Sequence, residues 1–269
     1  MPTLRSRLVP WVLVVMATLA PPLARASCIP VAELPARLVP AQDRVAVPPG
    51  SVDLTYLGHA SFLIQTAEGA TAVTDYNGYI RPSFAPDIVT MNNAHSSHYT
   101  DHPDPDIKYV LRGWGTAEQP VRYNLTYRDL HITNVQTNVR DWGGGTRLNG
   151  NSIFVFESAG LCIAHLGHLQ HTLTDAHLAA LGKIDVVLVP VDGVFTMDQF
   201  DMIEVIKQLR APLLIPMHFF SQDRLNRFLD RLHAETNYSV RVNPTPEVTV
   251  SSASLPGPAA PVALVLPGH

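Results

Sequence analysis

The sequence contains little cysteine. Cys28 and Cys162 are its 2 cysteines among 269 residues, which is too few for the disulfide frameworks that hold many secreted domains together. Cys162 lies inside an apolar stretch that predicts a strand, whereas Cys28 lies close to the N-terminus. The sequence therefore does not predict a disulfide-dependent fold, and we expect Cys162 to be an inert residue of the core.

The sequence is also poor in charge. Charged residues make up 16% of the chain, the formal net charge is -4, and no cluster of lysine and arginine stands out. Proteins that bind nucleic acid present a basic patch to the phosphate backbone, so nucleic acid is not an expected partner. With 46% hydrophobic residues, the chain is long and apolar enough to bury one large core or two modest ones.

The apolar run near the N-terminus is too short to span a membrane, which takes roughly 20 residues. In residues 1–26, Arg5 and Arg7 precede the run at 11–16, and an Ala-Arg-Ala step follows at 24–26. This order is typical of a secretory signal peptide with its cleavage site. We therefore expect an exported protein, periplasmic or secreted, with no stable membrane span after cleavage.

The rest of the chain changes character along its length. Residues 27–50 are rich in proline, alanine and valine without a clear period, which predicts an extended leader. A domain is expected over 51–242, and residues 243–269 should form one strand at 247–251 followed by an irregular tail. Predicted strands lie at 52–56, 61–66, 71–74, 88–91, 109–111, 129–133, 152–157, 161–164, 186–190 and 213–216, and predicted helices at 174–181, 197–209 and 221–234. Strands come first and strand–helix alternation later, as in a layered α/β domain.

Three of the predicted strands end in histidines. The strand at 88–91 leads into a polar turn, the strand at 161–164 leads into a second group of histidines, and the strand at 213–216 leads to one more. These histidines are His95, His98 and His102, then His165, His168 and His171, and finally His218. Imidazole is the commonest protein ligand of zinc, and strand ends hold side chains firmly enough for a tetrahedral site. The pattern predicts a metal site if the strand ends meet.

Three segments resemble the metallo-β-lactamase fold: TYLGHASFLI at 55–64, the stretch 163–193, and IPMHFF at 215–220. They look most like the branch of metal-dependent hydrolases that includes the ascorbate-6-phosphate lactonases. The likeness covers about 51–232, in the right order. It implies an α/β fold, a four-layer αββα sandwich, with a metal site at one edge of its two sheets.

The H-x-H-x-D-H motif of that superfamily is degenerate in this chain. In the register that opens with Asp87, its four defined positions fall on Asn93, His95, Ser97 and His98. The first histidine has thus become asparagine, and the aspartate has become serine. A rival register would use His98 with the Asp-His pair at 101–102.

Two further motif positions decide the expected metal content. His168 occupies the step where the resembling family has an aspartate that bridges two ions, and His218 matches the family's last ligand. Replacing acids with neutral side chains removes charge that a two-metal site needs. The resemblance therefore implies one Zn²⁺ more readily than two, and the expected ligands are His95, His98, His168 and His218.

Catalytic roles are expected for His168, His59 and Asp75. His168 would be a fourth ligand or a base, and His59 lies in a turn that faces the site in the resembling family. Asp75, at a predicted strand end, would hold a ligand imidazole by a hydrogen bond. The sequence leaves open whether other residues join the metal site, namely Asn93, Ser97, Asp101, His102 and His171.

The resemblance implies an exported metal-dependent hydrolase that uses metal-bound hydroxide on a small-molecule ester, lactone, phosphoester or amide. The alternative is a non-catalytic exported protein that binds a metal or a ligand and retains the fold. The departures at Asn93 and Ser97 favour that alternative. The sequence predicts neither the substrate nor the oligomeric state.

Overall fold

A computed structural model describes residues 46–141 and 143–267. The predicted signal peptide and nearly all of the predicted leader lie outside these residues. The described chain forms strands that alternate with helices in its second half. The strands are β1 (Ser51–Gly58), β2 (Ser61–Thr66), β3 (Thr71–Val73), β4 (Ile88–Met91), β5 (Tyr109–Arg112), β6 (Asn124–Tyr127), β7 (Leu130–Arg140), β8 (Thr146–Ser158), β9 (Leu161–His165), β10 (Val186–Pro190), β11 (Leu213–Met217), β12 (Ser239–Val242), β13 (Glu247–Ser251) and β14 (Val262–Val265). The helices are α1 (Asp175–Leu181), α2 (Gln199–Leu209) and α3 (Gln222–Glu235).

The strands form two sheets. The first has the order β13-β1-β2-β3-β4-β5 and the second the order β12-β14-β11-β10-β9-β8-β7-β6. In the second sheet, β9, β10 and β11 are parallel, so their carboxyl ends share one edge. A backbone hydrogen bond from Ser152 N to Asn92 O, 3.1 Å long, brings the end of β4 in the first sheet to the same edge.

Each helix begins at a polar cap. Thr174, Asp198 and Ser221 accept hydrogen bonds from backbone N–H groups in the first turns of α1, α2 and α3, which satisfies donors that a helix start leaves free. α3 buries Leu225, Phe228 and Leu232, which recur at helical spacing and form its apolar face. The caps and this spacing explain why the predicted helices are correct to within two residues.

The core consists of apolar layers that pack on the faces of the two sheets. One apolar cluster lies between the sheets and a second lies between the second sheet and all three described helices. Ile88 of β4 faces the other sheet while its neighbour Val89 faces outward, as strand alternation requires. The expected α/β class with two packed sheets is confirmed. In the described residues, loops rather than helices cover the outer face of the first sheet, where Tyr99 and Trp114 pack on it.

Three short strands are absent from the predictions: β6, β12 and β14. The expectation of an irregular tail after 251 is wrong for β14, which pairs with β11 and β12 in the second sheet. Val262 of β14 is buried between the sheets. The carboxyl-terminal strands therefore complete both sheets of the fold.

Cys162 is buried in β9, as expected for a core residue. It is nevertheless disulfide-bonded, so the expectation of an inert thiol is wrong. The chain's other cysteine, Cys28, lies outside the described residues.

Among the residues that the structure describes, no helix combines the length and the apolar character needed to cross a membrane.

Candidate metal centre

Four histidines converge where strands of both sheets end. His59 lies in the turn between β1 and β2, His98 follows β4, His168 follows β9, and His218 directly follows β11. We call these four residues the histidine quartet. His98, His168 and His218 are buried, while His59 is partly exposed. The quartet thus has a closed side within the protein and an open side at His59.

The backbone around the quartet is unusual. His59, Asp75 and His218 have positive φ angles of 52°, 46° and 54°, a region that non-glycine residues seldom occupy. Such residues cost free energy and persist where the surrounding structure holds them, often at functional sites. Here a 2.6 Å hydrogen bond from His218 N to His59 O joins the two turns. The fold therefore fixes where both imidazoles point.

The ring nitrogens of the quartet face one another. His98 Nε2 lies 2.9 Å from His168 Nδ1 and 3.3 Å from His218 Nε2. Ligand atoms of His59, His98 and His218 all lie within 4.8 Å of one another. His59 Nδ1 is buried without a hydrogen-bond partner. Several nitrogen lone pairs thus share one small space.

Asp75 orients His98 from behind. Its Oδ2 lies 2.7 Å from His98 Nδ1, and its Oδ1 accepts a 2.9 Å hydrogen bond from Asn92 N. A proton held on Nδ1 leaves the Nε2 lone pair of His98 directed into the quartet. Burial raises the pKa of Asp75, opposed by nearby His165 and by the hydrogen bond from Asn92.

Asp192 lies behind His218. Its Oδ1 is 3.1 Å from His218 Nδ1, although the pair is not aligned as a good hydrogen bond. Its other oxygen, Oδ2, accepts hydrogen bonds from the backbone N–H groups of Val194, Phe195 and Thr196. Burial would raise the pKa of Asp192, but the contacts with His218 and Thr196 outweigh it and hold the pKa below its usual range. Asp192 is therefore a carboxylate, whose charge favours a proton on His218 Nδ1.

Burial also sets the charge of the quartet, because a buried cation lacks solvation. Burial, together with neighbouring His218 and His98, lowers the pKa of His59 to about 3. Burial and the same two neighbours lower the pKa of His168 to about 2. Burial first, then His218, holds the pKa of His98 well below its ordinary value. These three imidazoles are uncharged at neutral pH, which is the form that binds a cation.

A polar wall closes the inner side of the quartet. Asn92 Nδ2 donates a 2.7 Å hydrogen bond to Ser152 O and lies 3.1 Å from His165 Nδ1. His165 Nε2 lies 2.7 Å from Ala60 O, so both ring nitrogens of His165 are engaged. Gly167 gives Asn92 its space, since a Cβ at that glycine would lie 2.4 Å from Asn92 Nδ2. Sequence reasoning missed Asn92, whose only signal is a polar residue directly after a buried strand.

The other predicted residues lie around the quartet. His95 is exposed, its ring stacks on His168 at a centroid distance of 5.9 Å, and its Nδ1 lies 2.8 Å from Ser97 Oγ. Asn93 donates a 2.8 Å hydrogen bond to Gly150 O. His171 Nε2 accepts a 3.0 Å hydrogen bond from Asn138 N, away from the quartet.

The rival motif register, which uses His98 with Asp101 and His102, places only His98 in the quartet. Asp101 and His102 are exposed, whereas His98, which both registers share, lies at the centre of the quartet. The structure brings together His98, His168 and His218 with His59 and Asp75. It leaves His95 at the rim.

Residues 53–218 match the sequence profile of the β-lactamase superfamily domain, which is well over half of the chain. The chain belongs to the β-lactamase superfamily.

Its relatives within the superfamily are named as metal-dependent hydrolases. The protein from Alkaliphilus metalliredigens is 39% identical over 194 residues, 62% of this chain and 84% of the relative. The protein from Opitutus terrae is 28% identical over 217 residues, 70% of this chain and 95% of the relative. A crystal structure from Thermotoga maritima, a proposed Zn-dependent hydrolase of the metallo-β-lactamase superfamily, has a TM-score of 0.56 and 28% identity and covers 80% of this chain and 100% of its own. This superfamily member therefore belongs with the metal-dependent hydrolases.

The quartet fits the metal ion that this family name implies. His98 Nε2, His168 Nδ1 and His218 Nε2 lie close enough to act as three nitrogen donors of a tetrahedral ion, which leaves its fourth position open. Without a shared proton or a cation, lone pairs at 2.9 Å would repel each other. The carboxylates of Asp75 and Asp192 lie outside this ring of nitrogens, as partners of ligand imidazoles do.

Proposed function

We propose that this metal-dependent hydrolase is exported, holds one zinc ion in the histidine quartet, and hydrolyses an ester, lactone, phosphoester or amide bond in a small molecule. The observation that carries the proposal is the meeting of His98 Nε2 with His168 Nδ1 and His218 Nε2 at 2.9 and 3.3 Å. These nitrogens come from three distant parts of the chain. A purely structural role for three buried imidazoles would not require their nitrogens to face one another.

Zinc is favoured by the donor set. Imidazole nitrogens in a small buried space match its tetrahedral preference, whereas magnesium and calcium prefer oxygen ligands. One ion is favoured over two because the position that would hold a bridging aspartate is His168. The carboxylates of Asp75 and Asp192 face the outer nitrogens of His98 and His218 instead.

When bound, the ion would supply Lewis-acid activation of water and of the substrate oxygen at neutral pH. His98, His168 and His218 are placed to hold it, and Asp75 keeps the proton of His98 on Nδ1. Four imidazoles would complete a tetrahedral shell, so one position must remain open for catalysis. His59 is the partly exposed member of the quartet. We assign it the role of orienting the attacking water or the substrate by a hydrogen bond, since its lowered pKa keeps it uncharged at neutral pH.

Two observations support export. Residues 1–26 have the order of charged, apolar and small residues found in signal peptides. Cys162 is disulfide-bonded, and such bonds persist in oxidising compartments and are rare in the cytosol of most organisms. Expression in a bacterial host, followed by fractionation and N-terminal sequencing, should place the chain outside the cytosol with Ser27 first; a cytosolic, uncleaved chain would contradict export.

The central experiment measures metal content and turnover together. The purified chain should contain about one zinc ion and cleave at least one of four generic substrates: an aryl ester, a lactone, a phosphodiester and an anilide. His98→Ala should lose both the zinc and the activity. His233→Ala, in an exposed histidine of α3, is the matched control and should retain both.

The same measurements separate the alternatives. Zinc bound without turnover of any substrate class would favour a non-catalytic metal-binding protein. A chain that binds no transition metal after zinc supplementation would refute the metal centre.

A further inference from the structure

Three exposed apolar side chains lie in the two loops that follow β10 and β11. Phe195 is 59% exposed, Phe220 is 56% exposed and Val194 is 51% exposed. Single exposed apolar side chains are ordinary, but grouped ones mark surfaces that bind something. We call these three residues the aromatic rim.

The aromatic rim is continuous with the histidine quartet. The ring of Phe220 lies 5.2 Å from the ring of His218 and 5.9 Å from that of His59, centroid to centroid. The ring of Phe195 lies 5.6 Å from that of Phe220 in an edge-on contact. An apolar surface therefore runs outward from the open side of the quartet, within reach of a substrate bound there.

Hydrogen bonds hold the backbone of the loop that carries Val194 and Phe195. Asp192 accepts the backbone N–H groups of residues 194–196. Gln170 Nε2 donates a 2.9 Å hydrogen bond to Phe195 O, and the guanidinium of Arg140 donates to Thr196 O. A surface fixed before binding loses little entropy when a ligand arrives. The side chains of Val194 and Phe195 project from this anchored backbone and are 51% and 59% exposed.

Two arginines of the described residues donate hydrogen bonds to the backbone of the loop that carries Val194 and Phe195. Arg140 binds backbone carbonyls of the loop, and Arg224 Nη1 donates a 2.8 Å hydrogen bond to Asp192 O. The Asp192 carboxylate is occupied by backbone N–H groups and by Thr196. Each of these arginines thus supports the loop backbone through one of its nitrogen atoms. The chemistry of the rim suits an uncharged apolar group.

We propose that the aromatic rim binds an alkyl chain or aromatic ring of the substrate, on the acyl side of the bond that is cleaved. The inference rests on the proposed hydrolase function and narrows it to uncharged apolar esters and lactones, away from phosphorylated sugars. In the reaction, the water oxygen bonds to the acyl carbon, the acyl C–O bond breaks, and a proton of the water passes to the leaving alcohol oxygen. The acyl chain meanwhile lies on Phe220 and Phe195.

The first experiment is a chain-length series of p-nitrophenyl esters from acetate to octanoate. Burial of apolar surface should raise kcat/KM about twofold to fourfold for each added methylene. Phe195→Ala should lower the octanoate-to-acetate ratio of kcat/KM by at least about tenfold. Phe200→Ala is the matched control. Phe200 of α2 is similarly exposed, at 57%, but its ring contacts Arg231 of α3 instead of the rim. This variant should retain the wild-type ratio. Phe220→Leu, which keeps apolar bulk beside the histidines, should retain most of it.

The second experiment needs neither metal nor turnover. Octanamide, but not acetamide, should give saturation-transfer NMR signals with the metal-stripped chain, and Phe195→Ala should abolish them. Binding of octanamide without turnover of an ester, lactone, phosphodiester or anilide would uphold the rim as a binding surface and refute the proposed hydrolysis. Turnover with no chain-length dependence, or a preference for phosphoesters, would refute the rim and leave the hydrolase standing. A dimer in sedimentation that Phe195→Ala dissociates would also overturn the proposal, since the rim would then be a contact between copies.

Discussion

Replacement of Asp75 by asparagine tests how the protein prepares His98 for a cation. The Asp75 Oδ2 atom lies 2.7 Å from His98 Nδ1, and Oδ1 accepts the 2.9 Å hydrogen bond from Asn92 N. Asparagine has the same shape, so its carbonyl oxygen can keep the bond to Asn92 while its amide N–H faces His98. His98 Nδ1 must then accept a hydrogen bond, and the imidazole proton moves to Nε2. That atom would no longer offer a lone pair to the quartet.

The expected loss of zinc affinity follows from the role of Asp75 behind His98. Loss of the group behind a ligand imidazole typically lowers metal affinity about 10- to 100-fold, which is about 1.4 to 2.7 kcal/mol. Competition with a chromophoric zinc chelator at pH 7.5 measures this difference directly. Asp101→Asn, in the exposed part of the same loop, is the matched control and should leave the affinity unchanged.

A second measurement identifies the cause. The ¹⁵N shifts of His98 in the metal-free chain should show a proton on Nδ1 in the wild type and on Nε2 in Asp75→Asn. Equal zinc affinity in the two proteins would refute the reasoning. So would reduced affinity with an unchanged His98 tautomer, because the effect would then not pass through the imidazole proton.

Two further predictions concern stability. Gly167→Ala should lower the free energy of unfolding in urea by about 3 kcal/mol, because the new Cβ would lie 2.4 Å from Asn92 Nδ2 and residue 167 has a φ of 60°. Gly257→Ala is the control and should have little effect, because nothing lies within 4 Å of its Cβ. Equal urea midpoints for the two variants would contradict the packing argument. The metal-free chain should also lose stability as the pH falls below 6.5. The pKa values of His59 and His168 are lowered to about 3 and about 2 in the folded state. The unfolded chain therefore takes up protons at a higher pH than the folded chain does. Below pH 6.5, each of these histidines lowers the free energy of unfolding by about 1.4 kcal/mol per pH unit. Urea midpoints measured with a chelator from pH 7.5 to 5.0 check the slope, and a flat profile would show that these imidazoles are not buried uncharged.

The sequence predicted the strands that precede His98, His168 and His218 because each of these three strands is buried along its whole length. The stretches 88–91 and 186–190 are short apolar runs between polar turns, and the structure has strands with these bounds. β14 is also short and mostly buried, but it follows a proline-rich segment. Its place depends on pairing with β11 and β12, which lie earlier in the chain. No local pattern conveys that pairing.

The inner arrangement of the site was less predictable. His95 and His98 lie three residues apart in one turn, yet His98 is buried on Asp75 and His95 is exposed. Spacing alone cannot say which ring turns inward, because the choice depends on a carboxylate that arrives from β3. His59 approaches His218 only because β1 of one sheet packs beside β11 of the other. That approach is a property of the packed sheets.

Asp192 ties two properties of the site to one carboxylate. It lies behind His218, and it anchors the backbone that presents Val194 and Phe195. Substitution of the side chains at 194 and 195 should therefore change the substrate preference without lowering the affinity for the metal ion. Inserting or deleting a residue between 193 and 196 should shift the carboxylate and weaken ion retention. Natural or engineered variants of this loop should therefore tolerate substitutions but not insertions or deletions.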